Sequence, residues 1–232
     1  MQITARTSRA GWVSMTVLAT LTALASARYF SLNPATFIPG QAAVYLAHLG
    51  PLLLHVGGGI VALAIGPWQL WIGTAVLRKG MRPRIRTVHR LLGRTYLIAV
   101  LAAGVGGLLL APLSQGGPLA HLGFGALAVA LLLTSTMGLV AIRQRHLAAH
   151  QAWMTRSYAL IFTAVTFRVW LGVLVASGLP FDQVYAVGAW TSWLINLVGV
   201  EVLISRTIVS RGRSAAHPAG HIRPREGLRP SS

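Results

Sequence analysis

The chain has 232 residues, of which 54% are apolar and only 10% are charged. Soluble domains carry about 25% charged residues, so this composition excludes an ordinary soluble protein and predicts an integral membrane protein. Because the chain has no cysteine, disulfides, thiolate-ligated iron–sulfur clusters and covalent haem attachment are also excluded. The net charge of +17 lies in short stretches between apolar runs, and we therefore predict no nucleic-acid partner.

Six apolar stretches are long enough to cross a bilayer as helices, which takes about 20 residues. They predict an all-α polytopic membrane bundle in residues 1–205, with transmembrane helices over 11–30, 50–77, 91–112, 119–142, 152–177 and 184–205. Helix-breaking Gly and Pro residues lie between the stretches, for example at 116–118. Residues 206–232 are rich in Arg, Ser, Pro and Gly and are predicted to form a disordered, basic cytoplasmic tail.

The first stretch has two interpretations. Arg6 and Arg9, followed by a short apolar run and the small residues 25–27, resemble a secretory signal peptide with its cleavage site. Cleavage would leave five helices. We favour a retained helix, because Tyr29 and Phe30 extend the apolar run to spanning length.

Basic residues are distributed unequally between the two sides of the predicted bundle. Eighteen of the 20 Lys and Arg residues precede the first helix, follow the sixth, or lie at the second and fourth connections. Cytoplasmic loops accumulate Lys and Arg, so both termini are predicted to be cytoplasmic in a bacterial inner membrane. On the opposite side, Tyr29, Tyr45 and Tyr185 are predicted to belong to an interfacial aromatic belt.

Four histidines recur at intervals of about one crossing plus a loop: His55, His89, His121 and His150. Each lies near the start of a successive helix, and alternate helices run in opposite directions. His55 and His121 are therefore predicted near the outer face, and His89 and His150 near the cytoplasmic face. Neutral imidazole is a common axial ligand of iron. The spacing predicts up to two non-covalent haem b groups, each held by one histidine pair.

Other assignments of these histidines stay open at this point. Each could be a structural residue bonded to a carbonyl or a lipid headgroup at the membrane interface. His48 lies seven residues before His55, on the same helical face, and is an alternative outer ligand. His146, one turn before His150, is an alternative inner ligand.

Several arginines are candidates for binding an anion near these histidines. Arg90, Arg94 and Arg156 lie close to the inner pair and could bind haem propionates through paired hydrogen bonds. Arg168 is predicted near the bilayer midplane, where a lone arginine is costly. The three carboxylates of the chain are predicted to lie out of its reach, so we expect a counter-charge from a haem propionate or an anionic substrate. The alternative is a structural arginine bonded to Asn196 and helix carbonyls.

Two strings stand out in the middle of the chain. They are His-Arg-x-x-Gly-Arg at 89–94 and His-x-x-Trp-Met-x-Arg-Ser at 150–157. With neighbouring residues over roughly 50–175, they resemble the bacterial membrane-protein family called domain of unknown function 2306. The resemblance implies that the family pattern usually has His55, Gln69, His89, His150, Arg156 and Arg168 at these positions. The helix plan is also similar, more remotely, to two-haem cytochromes b in which helices two and four share one haem and helices three and five the other.

These features predict a cytochrome b-like membrane oxidoreductase that moves electrons between a quinol or small reductant and an acceptor. The sequence leaves open whether the protein is an enzyme. The alternative is a haem-free bundle that acts as a small-molecule transporter or an assembly partner. Because proton relays usually need intramembrane carboxylates or histidines, the shortage of acidic residues disfavours a proton-coupled transporter.

Overall fold

The computed structural model describes residues 2–37, 40–79 and 82–215, and these residues form helices and no strand. The all-α prediction is confirmed. The α-helices are α1 (Gln2–Ser26), α2 (Ala42–Ala47), α3 (Leu49–Lys79), α4 (Pro83–Leu110), α5 (Gly117–Arg143), α6 (Leu147–Ile161), α7 (Thr163–Ala176) and α8 (Phe181–Ala215). Short 3-10 turns occupy Ala27–Ser31, Pro34–Thr36 and Ala111–Leu113.

Six segments of the described chain are long and apolar enough to cross a membrane, which confirms the predicted number and order. They are Arg9–Ser31, Leu49–Gly73, Pro83–Leu113, Gly117–Arg143, Leu147–Ala176 and Phe181–Arg206. Because the number is even, α1 begins and α8 ends on the same side of the bundle, called here the terminus side. The opposite side is called the distal side. That the terminus side faces the cytoplasm stays a prediction.

Several helix boundaries differ from the predicted ones. Helix α4 begins at Pro83 rather than at residue 91, because proline is favoured in the first turn of a helix and exposed arginines can continue it toward the core. The predicted fifth helix is divided at Phe162 into α6 and α7. Helix α8 continues to Ala215, so the first part of the predicted tail is helical. The remaining part of that tail, 216–232, lies outside the described residues.

Four helices form a closed ring that contains every histidine of the predicted haem pairs. Helix α3 packs against α4, α4 against α5, α5 against α6, and α6 returns to α3. Helices α3 and α5 therefore face each other across the ring, as do α4 and α6. Outside the ring, α1 packs against α3, and α8 packs against α5, α6 and α7.

The contact between α3 and α4 depends on glycines. A Cβ atom on Gly58 would overlap Ala99 O and lie 2.6 Å from Ala103 N, and one on Gly106 would lie 2.6 Å from His55 N. Small residues allow such close backbone approach between membrane helices. Next to this contact, the core continues through the buried side chains of Ala62, Leu63, Tyr96, Val100 and Leu160.

Candidate functional site

The predicted inner pair of histidines lies on facing helices. His89 is on α4 and His150 is on α6, and these two helices lie opposite each other in the ring. Seven residues further along each helix, Tyr96 and Ser157 are joined by a hydrogen bond of 3.0 Å between their hydroxyl oxygens. Seven residues are almost two helical turns, so each histidine lies on the same helix face as its hydroxyl-bearing neighbour. The structure thus places His89 and His150 at one level of the ring on the terminus side.

The ring nitrogens of these two histidines are in different environments. His150 Nδ1 lies 2.8 Å from Gly138 O. An Nδ1–H group that donates there leaves Nε2 as a free acceptor, which is the arrangement of most metal-ligating histidines. His89 Nδ1 is buried and has no hydrogen-bond partner among the described residues. Gln69 Nε2 donates to His89 O at 3.1 Å, which ties α3 to the first turns of α4.

A cavity of about 370 Å³ lies inside the ring in its distal half, within the size range of small-molecule pockets. Its walls come from α3, α4, α5, α6, α7 and α8, and from Arg28, Tyr29, Gln41 and Tyr45 on the distal side. The part nearest the bilayer centre is apolar and is lined by Leu63, Leu131, Leu160 and Ile161. Polar side chains surround the distal end: Arg28, Tyr29, Gln41, Tyr45, His55, Ser114, Arg168 and Tyr185.

The predicted outer pair of histidines does not meet in this cavity. His55 lines it, and its Nδ1 lies 2.9 Å from Ala103 O, so that Nε2 is left free. His121 lies one turn before the cavity-lining Phe124, but its own side chain is not part of the described lining. His121 Nε2 lies 2.8 Å from Ser114 O instead. His48 is exposed, and its Nδ1 lies 2.9 Å from Val44 O.

Arg168 lines the cavity and is held by the protein on one side. Its Nη1 donates to Ala164 O at 2.7 Å and its Nη2 donates to Ser26 Oγ at 3.1 Å. The alternative prediction from the sequence was a structural arginine bonded to Asn196 and helix carbonyls. A helix carbonyl is a partner of Arg168, whereas the Asn196 side chain donates to Ala159 O instead. Because Ser26 is the last residue of α1, the guanidinium lies nearer the distal side than the midplane position predicted from sequence.

The other arginines that were predicted to bind haem propionates lie on the terminus side. Arg156 forms an ion pair with Glu201, with 2.9 Å between Nη2 and Oε2, and its guanidinium lies 4.7 Å from the centroid of the Trp153 ring. Its expected role toward a propionate would therefore compete with a carboxylate already in place. Arg90 and Arg94 are exposed on α4, one and five residues after His89. No ion pair other than Arg156–Glu201 occurs among the side chains that the structure describes.

The family comparison covers nearly all of the ring and the part of the cavity lining that the ring contributes. Residues 52–204 match the family model described as predicted membrane protein (DUF2306). The chain belongs to this family. The match confirms the resemblance indicated by the two strings, and it extends from α3 through most of α8. No curated protein and no solved structure matches the chain. The DUF2306 match includes His55 and Arg168, whereas Arg28 and Gln41 lie before it.

Several residues at the distal end of the cavity were not predicted from the sequence to line a site. Tyr29 and Tyr185 are buried and Tyr45 is half-buried, and all three line the cavity rather than forming only an interfacial belt. Gln41 is 3% exposed, and its Oε1 has no hydrogen-bond partner among the described residues. A usable signal was the concentration of Arg28, three tyrosines and Gln41 on a side that has few charged residues.

Proposed function

We propose that this DUF2306 protein is a cytochrome b-like electron-transfer protein of the bacterial cytoplasmic membrane, with haem b held between His89 and His150. The observation that supports this most strongly is that His89 and His150 lie at one level on the facing helices α4 and α6, each seven residues before a partner of the Tyr96–Ser157 hydrogen bond. In the proposal, the terminus side faces the cytoplasm, because most basic residues lie there. A quinol or small reductant is the proposed electron donor.

The chain supplies the features that such a site needs. His150 can donate from Nδ1 to Gly138 O, which fixes the ring and makes Nε2 a better ligand. His89 provides the second ring, held on α4 by the Gln69 contact at its backbone carbonyl. Arg90 and Arg94 are exposed nearby and have the donor geometry for carboxylates. When bound, the haem iron would supply the one-electron chemistry, while the protein sets ligation and burial.

A second haem in the distal cavity extends the proposal. His55 meets the same requirement as His150, because its Nδ1 faces Ala103 O and its Nε2 is free beside the cavity. His121 would complete this pair only after its Nε2 leaves Ser114 O. Arg168 would then face a propionate. This second site therefore needs the His121 side chain to rearrange.

The second candidate function is a haem-free bundle that binds or transports a small amphipathic molecule. The distal cavity favours this function, because its described lining contains one imidazole, that of His55, together with the guanidinium groups of Arg28 and Arg168. Such a lining suits an anionic head attached to an apolar body. The two functions are compatible when haem occupies only the terminus side.

Visible spectroscopy of histidine variants tests the haem proposal. The full chain would be expressed with a haem precursor, purified in mild detergent and measured oxidised and dithionite-reduced. We expect a haem b spectrum that is lost or reduced by one haem in His89→Ala and His150→Ala. His146→Ala is the matched control, because His146 is exposed just before α6. Absence of a Soret band in well-folded wild type, or equal haem content in all variants, would contradict the proposal.

A further inference from the structure

We propose that the distal cavity binds an amphipathic carboxylate, with the acid group at Arg168 and the apolar body inside the four-helix ring. The ligand class is a carboxylate on an extended hydrocarbon or macrocyclic body. A free long-chain acid from the membrane and a propionate of a second haem share this chemistry. Only the second source rests on the haem function proposed above.

The polar end of the cavity carries positive charge without a balancing acid. Arg28 and Arg168 both line it, and no Asp or Glu belongs to its described lining. An arginine inside a membrane protein is costly unless it is paired or solvated. The only ion pair among the described side chains, Arg156–Glu201, lies on the opposite side. The cavity is therefore electrostatically suited to an anion.

Among the described residues, Arg168 has no ion-pair partner, and some of its N–H groups make no hydrogen bond to the protein. A guanidinium carries five N–H groups in a planar fork, and the contacts with Ala164 O and Ser26 Oγ use two of them. Those contacts fix the plane of the group, and the Arg168 side chain is exposed and lines the cavity. A fixed guanidinium with unused donors is the geometry that binds a carboxylate through two parallel hydrogen bonds.

Gln41 is a second, independent indication of a polar ligand. Its side chain is 3% exposed and lines the cavity, and its Oε1 is buried without a partner among the described residues. Buried polar atoms are nearly always hydrogen-bonded, so an orphan atom needs an explanation. A rotation of the amide by 180° exchanges its oxygen and nitrogen. Gln41 can therefore accept from a protonated acid or donate to an ionised one.

The remainder of the cavity fits an apolar body. Its deeper walls are the side chains of Leu63, Leu131, Leu160 and Ile161, all of them buried in the core. Ligand pockets of this type combine a mostly apolar lining with a few placed polar groups. The acid group and the apolar body thus have separate, complementary surroundings at the two ends of one cavity.

A pair of probes tests the proposal directly. The full chain in nanodiscs of zwitterionic phospholipid would be titrated with dansyl-undecanoic acid and with the corresponding dansyl alcohol. We expect the acid to bind at least tenfold more tightly, equivalent to about 1.4 kcal/mol. Arg168→Gln should abolish this preference, and Arg168→Lys should keep part of it because the charge remains. Arg143→Gln is the matched control, since Arg143 is exposed at the end of α5, outside the cavity.

Haem content measured on the same samples distinguishes the two sources. If wild type prefers the acid, and Arg168→Gln loses this preference while its haem content stays the same, the natural ligand is a membrane acid. Two haems in wild type and one in Arg168→Gln, with no acid binding, would identify a propionate. Acid binding in a protein without any haem would support this proposal while the haem function fails. Equal affinity for acid and alcohol, or no effect of Arg168→Gln on either probe or haem, would overturn it.

Discussion

Replacement of Gly58 by alanine tests the close contact between α3 and α4 that shapes the ring. The added methyl group would overlap Ala99 O and lie 2.6 Å from Ala103 N, both of them backbone atoms of α4. Ordinary contacts of a Cβ atom begin near 3.4 Å, so relief of the Ala103 contact alone needs α4 to move away by roughly 0.8 Å, and relief of the closer Ala99 overlap needs more, a displacement of the kind that overpacking causes. Because backbone cannot rotate aside as a flexible side chain can, we expect the whole contact to loosen.

The magnitude follows from two opposing effects. Overpacking a core costs about 1–3 kcal/mol, whereas glycine to alanine in a helix gains up to about 1 kcal/mol from helix propensity. Gly59→Ala provides the control on the same helix, because nothing lies within 4 Å of its added Cβ. Both variants share the propensity gain. The difference between them, about 1–3 kcal/mol, therefore isolates the overpacking.

The assay is reversible unfolding of the purified protein in mixed micelles, followed by tryptophan fluorescence as the denaturing detergent fraction increases. Gly58→Ala should unfold at a lower fraction than wild type, and Gly59→Ala at an equal or higher one. If the two variants were equally stable within about 0.5 kcal/mol, a difference as small as that of an ordinary surface substitution, the α3–α4 contact described here would be wrong.

Three further expectations concern the core, the surface and the topology. Ser157→Ala leaves the buried Tyr96 hydroxyl without its partner, so it should lower the free energy of unfolding by about 1–3 kcal/mol. Adding Tyr96→Phe to this variant should restore part of the loss. If the effects of the two substitutions on the free energy of unfolding were strictly additive, that result would argue against the bond. Arg156→Gln removes an exposed ion pair with Glu201 and should change stability by less than about 1 kcal/mol; a larger loss would mean a buried role. A C-terminal fluorescent fusion should be bright and an alkaline phosphatase fusion inactive, and the reverse pattern would overturn the predicted orientation.

The number and order of the membrane crossings could be predicted because they depend only on which apolar stretches are long enough to span the hydrocarbon layer of the bilayer. Apolar runs of about 20 residues are set by bilayer thickness, and the structure has six of them in the predicted order. Boundaries were less predictable at polar ends. The arginines that follow Pro83 resemble a loop by composition, yet a helix can continue through exposed basic residues, and α4 includes Arg84, Arg86 and Arg90.

The spacing of the histidines predicted the depth of each one along its helix, but it could not predict the direction in which each side chain points. Pairing of His89 with His150 requires only that both lie on facing helices at one depth, which spacing determines. The position of His121 depends on rotation of α5 and on the loop carbonyl of Ser114, to which its Nε2 turns. Likewise, Gln41 reaches the cavity through the distal segment before α3, whose path no periodicity determines.

Low-temperature electron paramagnetic resonance of the oxidised, purified protein tests the central proposal most directly, because it reports both axial ligands of one iron together. We expect a low-spin ferric haem signal typical of two imidazole ligands, lost in His89→Ala and in His150→Ala and retained in His146→Ala. A high-spin signal in wild type, or no ferric haem signal in folded protein supplied with haem, would contradict haem ligation by His89 and His150.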